Sequence, residues 1–455
     1  MLVSRGVRHV ATAMSAALVL TVAACQQGTP KPEGDFETAA GTLTRLYGTD
    51  GNMINTLRDE FEGQAGLLAG MKGTTPLTPL SADFKARLLA VHPDLSDYLF
   101  AGETYDAVVI SALAAEQAGS NDPAAIAKQI NSITTGGTEC TAVADCLALA
   151  RAGTDLNYRG ISLTRGGFTD AGEPSTASYA TLHFGPEDRL DDSKTEYVGA
   201  GDESTTSTRK PPRSVPADDA KDPLKIGGLL PETGDLALAN PPMAAGAALA
   251  VKELNAAGGV FEQDVEWVPG DDGTSPEVAK QTVASHIAKK VSVIIGAGAS
   301  SISREVLPDV VKAGLILFSP CNTDAGLTTI DDKGLFFRTS PSDILQGRAL
   351  ADVILRDGPS QIAIVARDDS YGIGLKDNVI EELTKAGFPA DKVETMVYEP
   401  PTPGAPDIDF GAGASQIKAT SPDGVLLIGF GESAQIIKAM AKAGVPFYHG
   451  QGAEK

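Results

Sequence analysis

Short apolar runs set between amphipathic stretches dominate the chain from Leu224 onward. LKIGGLL, VSVIIGAG, GLILFSP, QIAIVA and DGVLLIGF are rich in Val, Ile and Leu, with no polar alternation. A strand with one wet face alternates; a run that is apolar throughout suits a central parallel strand covered on both faces. Between these runs lie PPMAAGAALAVKELNAAGG, the Ser-capped SPEVAKQTVASHIAKK, SREVLPDVVKAG, DILQGRALADVILRDG, GIGLKDNVIEELTKAG and ESAQIIKAMAKAG. Their apolar spacing is helical, and several stop at Gly. VEWVPG adds a short strand. Repeated strand–helix alternation predicts a doubly wound α/β sheet.

The stretch 46–190 reads differently. SADFKARLLAVHP, ETYDAVVISALAAEQAG and DPAAIAKQIN are predicted helices, and LLAGMKG, GISLTR and YATLHFG are short extended pieces. Alone it lacks a sheet core, so it is expected to complete the later α/β region. Residues 26–45 read as a tether. Residues 190–223, LDDSKTEYVGAGDESTTSTRKPPRSVPADDAKDP, are rich in charge, Ser, Thr and Pro, and are expected to be a disordered linker.

The first 25 residues, MLVSRGVRHVATAMSAALVLTVAAC, join a basic start (Arg5, Arg8) to an apolar run and then Val22-Ala23-Ala24-Cys25. This is the layout of an export signal. The apolar run is shorter than the roughly 20 residues a spanning helix needs. The last four residues resemble a bacterial lipobox, which implies a lipid-modified Cys25 and a protein tethered outside the cell membrane. The 455 residues allow two ordinary domains, and the 42% hydrophobic content allows a real core. With 37 basic against 59 acidic residues the net charge is −22, and no basic tract stands out. Nucleic-acid binding is thereby disfavoured, and an anionic membrane would repel the body of the protein. Cys140 and Cys146, in GGTECTAVADCLAL, suit a local disulfide in an oxidising compartment. Neither a metal site nor a cofactor is expected, because no His or Cys cluster accompanies the pair. Cys321 is left over as a free, partly buried thiol.

Several longer motifs point one way: IGGLLPETGDLALANPPMAAGAALAVKELNAAGG, IIGAGASSIS, SPCNTDAGLT, FRTSPSDILQGRALAD and RDDSYGIGLKDNV. With GTDGNM, YDAVVISALAAEQAG and FTDAGEPSTASYATLHF, they resemble the type I periplasmic binding proteins, the branched-chain amino acid binding family of ABC importers. The resemblance covers nearly all of residues 46–450. It implies two doubly wound α/β lobes, with 224–342 in one and 343–455 in the other. The order departs from the family: its last third (46–189) precedes its first two thirds, so the segments read as circularly permuted. Such an order is tolerable if the old ends are joined and the new ends, near Arg45 and Tyr448, fall in an exposed place. A rearranged coding sequence is the alternative.

The resemblance also implies a site at the carboxyl ends of strands, in agreement with the general rule for open α/β sheets. A zwitterionic amino acid needs donors for its carboxylate and an acceptor for its ammonium. Gly296–Ser301 follows a strand and opens a helix, where an anion is favoured; Ala299 and Ser300 match the family's carboxylate-binding position. The same residues also read as a tight turn with a cap, and a dinucleotide fingerprint is weak because its third Gly is missing. Thr323, with Cys321 and Asn322 beside it, matches the family residue that touches both ends of the amino acid. Tyr371 and Phe430 match cleft rings, and both read equally as core. Asp50 matches the acidic partner of the ammonium, often Glu in the family, and also reads as an Asp-Gly turn. Leu236 and Ala237 would border the ligand side chain. The implied function is non-enzymatic solute capture for an ABC permease and its ATPase. An exported hydrolase using Ser300 or Ser301 is the enzymatic alternative, without a G-x-S-x-G elbow; a sensor without a transport role is a third.

Overall fold

The computed structural model describes residues 37–38, 41–210, 212, 222–402, 404 and 407–450. Cys25 and its leader lie outside the described residues, as does much of 26–45. Two open sheets carry the architecture. The first is five-stranded and wholly parallel, in the spatial order Glu266–Val268, Lys225–Leu229, Val293–Gly296, Ile316–Ser319, Phe336–Arg338. Its strand order reverses between Lys225–Leu229 and Val293–Gly296, and the carboxyl ends of such a pair form a crevice. The second sheet has seven strands: Val393–Tyr398, Ile362–Arg367, Gly424–Ile428, Arg45–Gly48, Lys72–Pro76, Thr176–His183 and Glu196–Gly201. It is parallel as far as Lys72–Pro76, and antiparallel over its last two strands.

The central strands are buried because their side chains are apolar on both faces. Val293, Ile294 and Ile295 are each 0% exposed, as are Val425, Leu426 and Leu427. Burial of this kind is worth roughly 25 cal/mol per Å² of apolar surface. The stretch 46–190 divides its elements between the sheets. Its strands Arg45–Gly48, Lys72–Pro76 and Thr176–His183 join the second sheet. Its helices Ala101–Ala118 and Pro123–Ile133 pack in the core of the first, with Ile226, Val293 and Ile316.

Two expectations need correction. Residues 190–223 are not disordered throughout: Glu196–Gly201 is an edge strand paired with Thr176–Thr181. Its side chains are mostly exposed, so backbone pairing holds it rather than burial, and an ion pair from Glu196 to Arg356 (2.7 Å) adds to it. GISLTR forms no strand either. The N–H groups of Ile161 and Ser162 donate to the buried Asp106 carboxylate at 2.9 and 2.7 Å, so a side chain takes the place of a neighbouring strand.

Cys140 and Cys146 are disulfide-bonded with their Cα atoms 5.4 Å apart, and Cys321 is a buried free thiol. Among the described residues, no helix is long and apolar enough to cross a membrane.

Candidate functional site

The carboxyl ends of the parallel strands in both sheets meet around one small cavity. Gly298, Ala299, Ser300 and Cys321 line it from the first sheet, with Leu236, Ala239 and Met243 from the segment after Lys225–Leu229. Asp50, Gly51, Tyr371 and Phe430 line it from the second, and Phe100 closes it. Phe100 holds a left-handed backbone (φ 55°) just before the helix Ala101–Ala118, an uncommon conformation for a bulky residue. The cavity's volume is about 20 Å³, room for roughly one water. Two larger hollows, of about 360 and 280 Å³, contain none of the residues singled out from the sequence.

Asp50 follows the strand Arg45–Gly48 and is 5% exposed. Its Oδ1 accepts from Gln346 Nε2 at 2.8 Å and from Tyr371 Oη at 2.9 Å. Burial raises its pKa from 3.8 to about 6, although both hydrogen bonds favour the ionised form. Tyr371 is also bonded to Thr49 Oγ1 (2.9 Å) and stacks on Phe430 with centroids 5.4 Å apart. The guanidinium of Arg367 also contacts that ring, 3.8 Å from its centroid.

On the first sheet, the loop after Val293–Gly296 leads into the helix Ser300–Lys312, whose N-terminus has no side-chain cap. Two loop N–H groups are engaged internally: Ala297 donates to Ser303 Oγ (3.0 Å) and Gly298 to Asp272 Oδ2 (2.6 Å). The helix's own first turn is therefore the part of the loop that can offer donors to an anion. Asn322 is a brace: its Nδ2 donates to the carbonyls of Ala297 and Gly298, at 3.0 and 2.9 Å, and it does not line the cavity. Cys321 lines the cavity, its thiol held near the Gly298 carbonyl (3.1 Å) and its pKa raised by burial, which makes it a poor nucleophile. Thr323 is buried and does not line the cavity; its side chain bonds the buried Asp343 carboxyl instead.

Sequence reasoning missed a charged clasp across the two sheets. Arg367, the last residue of an apolar strand, donates to Asp369 (2.7 Å), Glu432 (2.9 Å) and Asp235 (2.9 Å). Asp235 belongs to the first sheet's connections and the others to the second's. Gly431 N to Asp235 O (3.1 Å) and Ser301 Oγ to Asp369 (3.3 Å) span the same junction. The signal available in the sequence was a single Arg ending IAIVAR, a charge where the pattern is otherwise apolar.

The sequence model of the periplasmic binding protein family matches residues 223–452, and the chain belongs to that family. It is 26% identical over 210 residues to Leu/Ile/Val-binding protein homolog 3 of Brucella melitensis, covering 46% of this chain and 54% of that one. It is 29% identical over 213 residues to a leucine-, isoleucine-, valine-, threonine- and alanine-binding protein of Pseudomonas aeruginosa, covering 47% and 54%. Among solved structures it resembles the branched-chain amino acid transporter substrate-binding protein LivJ of Streptococcus pneumoniae in complex with isoleucine. That likeness has 26% identity and a TM-score of 0.42, over 50% of this chain and 63% of that one. The chain thus spans about half the length of the curated relatives it matches.

Proposed function

We propose that this protein is an extracytoplasmic, lipid-anchored solute-binding protein that captures an amino acid, or a similar small amino-bearing solute, by closure of two lobes. It would hand the solute to an ABC permease driven by its ATPase. One observation carries the reading: a buried carboxylate, Asp50, and an uncapped helix N-terminus with a hydroxyl, Ser300, line the same small cavity. The first is an acceptor for an ammonium and the second offers donors to a carboxylate, while Phe100, Leu236, Met243 and Phe430 supply apolar walls. Admission of an amino acid requires the clasp at Arg367 to open, and differential binding to the closed state then drives closure. The serine-hydrolase alternative finds no support at the serines, since Ser300 Oγ accepts from Asp324 N and Ser301 Oγ bonds Asp369.

The permuted order forms part of this reading. The strand Arg45–Gly48 lies beside Gly424–Ile428, and Thr44 pairs with Phe447 near the far end of the sequence. A chain re-ordered so that 224–450 precedes 46–190 is expected to melt cooperatively and to bind the same solutes. The lipid anchor rests on Cys25: a Cys25→Ser variant should leave the membrane fraction.

A thermal-shift screen of the purified protein against the twenty amino acids tests the binding role, because a ligand of the native state raises the melting point by mass action. A shift with a defined chemical group is the expected result. A cooperative melt that no amino compound moves would overturn the reading.

A further inference from the structure

The walls of the small cavity between the two sheets differ in how far they can yield. On the second sheet, Phe430 is wedged in place. Tyr371 stacks on it with centroids 5.4 Å apart, the Arg367 guanidinium lies 3.8 Å from its centroid, and a Cβ on Gly51 would stand 2.6 Å from its ring. Its neighbours are themselves tied down: Tyr371 bonds both Asp50 and Thr49, and Arg367 pairs with Asp235, Asp369 and Glu432. This wall cannot retreat without breaking a buried polar network.

The facing wall is fixed at its backbone. The Phe100 carbonyl accepts from Thr104 N (2.9 Å) and from Thr104 Oγ1 (2.7 Å), which anchors the residue at the start of Ala101–Ala118. Met243 belongs to the helix Asn240–Ala256, which lies directly on that start: a Cβ on Gly246 would meet the Ala101 carbonyl oxygen at 2.3 Å. Ala101, Ala107, Ala245 and Ala247 place both helices in the core of the first sheet, so displacing either one repacks that core. The adjustable parts of the lining are therefore side chains. Met243 is unbranched and buried, and Leu236 stands just before the turn Ala237–Ala239.

In the reading above, an amino acid sets its ammonium at Asp50 and its carboxylate at the Ser300 helix. Its side chain then has only the space bounded by Phe100, Leu236, Met243 and Phe430. In a cavity of about 20 Å³, a hydrogen or a methyl asks for the smallest displacement of those walls. Each further methylene must push Met243 or Leu236 into a packed interior, and forcing methylenes into a filled core costs more than their burial returns.

We propose that the cavity selects its solute by size, taking amino acids whose side chain is no larger than a methyl, and that Met243 and Leu236 set the limit. This rests on the solute-binding reading above and names its substrate class: glycine and alanine rather than the larger aliphatic or aromatic amino acids.

Calorimetric titration of the whole protein with glycine, alanine, valine, leucine and phenylalanine tests this. Glycine or alanine should bind at least about tenfold more tightly than leucine, and phenylalanine no better than leucine. Met243→Ala shortens the wall to a methyl and should raise the leucine-to-alanine affinity ratio by about tenfold or more. Should that variant fail to melt cooperatively, Leu236→Ala, outside the helix, reads the same ratio. Leucine bound by the wild type as tightly as alanine, or a ratio that neither variant moves, would overturn the size limit and leave the solute-binding reading intact. Absence of binding by every amino acid would overturn both.

Discussion

Replacing Asp50 by Asn should stabilise the unliganded protein at neutral pH while abolishing solute capture. Burial raises this carboxyl from 3.8 to about 6. An acid whose folded-state pKa lies above its unfolded value keeps its proton longer in the folded protein. Below about pH 4 both states are protonated and the site carries no penalty; stability is lost as pH rises toward 6, and the full cost is present above it. The displacement from 3.8 to about 6 corresponds to about 3 kcal/mol at pH 7. Asn keeps an Oδ1 for the Gln346 amide and the Tyr371 hydroxyl, but brings an amide group that must find an acceptor, at a cost of about 1 kcal/mol or more. The net expectation is a gain of about 1–2 kcal/mol at pH 7 that disappears near pH 4. Urea unfolding of both proteins at the two pH values measures it, since carboxyls common to both largely cancel in the difference. An Asn variant that is less stable than wild type at pH 7, or a difference equal at both pH values, would refute the desolvation argument.

Other outcomes are expected from the same geometry. Asp235→Asn removes a charged partner from the clasp at Arg367; solute dissociation should quicken by about tenfold or more, and small-angle scattering should show a more open unliganded form. An unchanged dissociation rate would show that the clasp does not hold the closed state. Ser300→Ala should weaken amino-acid binding by about tenfold with little change in melting temperature, because its one internal bond, from Asp324 N, is long at 3.3 Å. Reduction of Cys140–Cys146 should cost about 2 kcal/mol, as the loop it closes is short, with a sequence separation of 6. Thiol labelling of the non-reduced, folded protein should find Cys321 unreactive until unfolding.

The central strands were legible because they are apolar at every position, and few structures other than a covered parallel strand accept that pattern. The edge strand Glu196–Gly201 was illegible for the opposite reason: Tyr197 and Val198 are 46% and 50% exposed, so nothing in the composition reports a backbone ladder. Asp50, Ser300 and Tyr371 were found because they sit in motifs at strand ends, and the fold brings them to one cavity. Asn322 and Thr323, picked on the same grounds, do not line that cavity. Arg367, Asp235 and Gln346 were missed because their partners are distant in sequence: Arg367 and Asp235 are separated by 132 positions, and Gln346 and Asp50 by 296. Local pattern reports burial and turns; it does not report which buried charge meets which.

The position of Asp50 also ties the proposed capture to the seam of the second sheet. Thr44 N donates to Pro446 O at 2.7 Å, Tyr448 N donates to Thr44 O at 2.9 Å, and the Arg45 guanidinium lies 4.0 Å from the Tyr448 ring centroid. Thr44 is buried and its Oγ1 also donates to Pro422 O (2.9 Å), yet local opening of this strand would begin at its end. The residues further along the strand are held more firmly. Asp357 accepts from Tyr47 Oη (2.7 Å) and Lys72 Nζ (2.6 Å) and pairs with Arg45 Nε (3.2 Å), so one carboxylate pins two neighbouring strands. Leu46 and Tyr47 are then buried between Gly424–Ile428 and Lys72–Pro76. Fraying from Thr44 is thus arrested at the Asp357 cluster before it reaches Thr49 and Asp50. Asp50, the proposed ammonium anchor, can stand close to a seam between distant parts of the chain and still keep the fixed geometry that recognition would require.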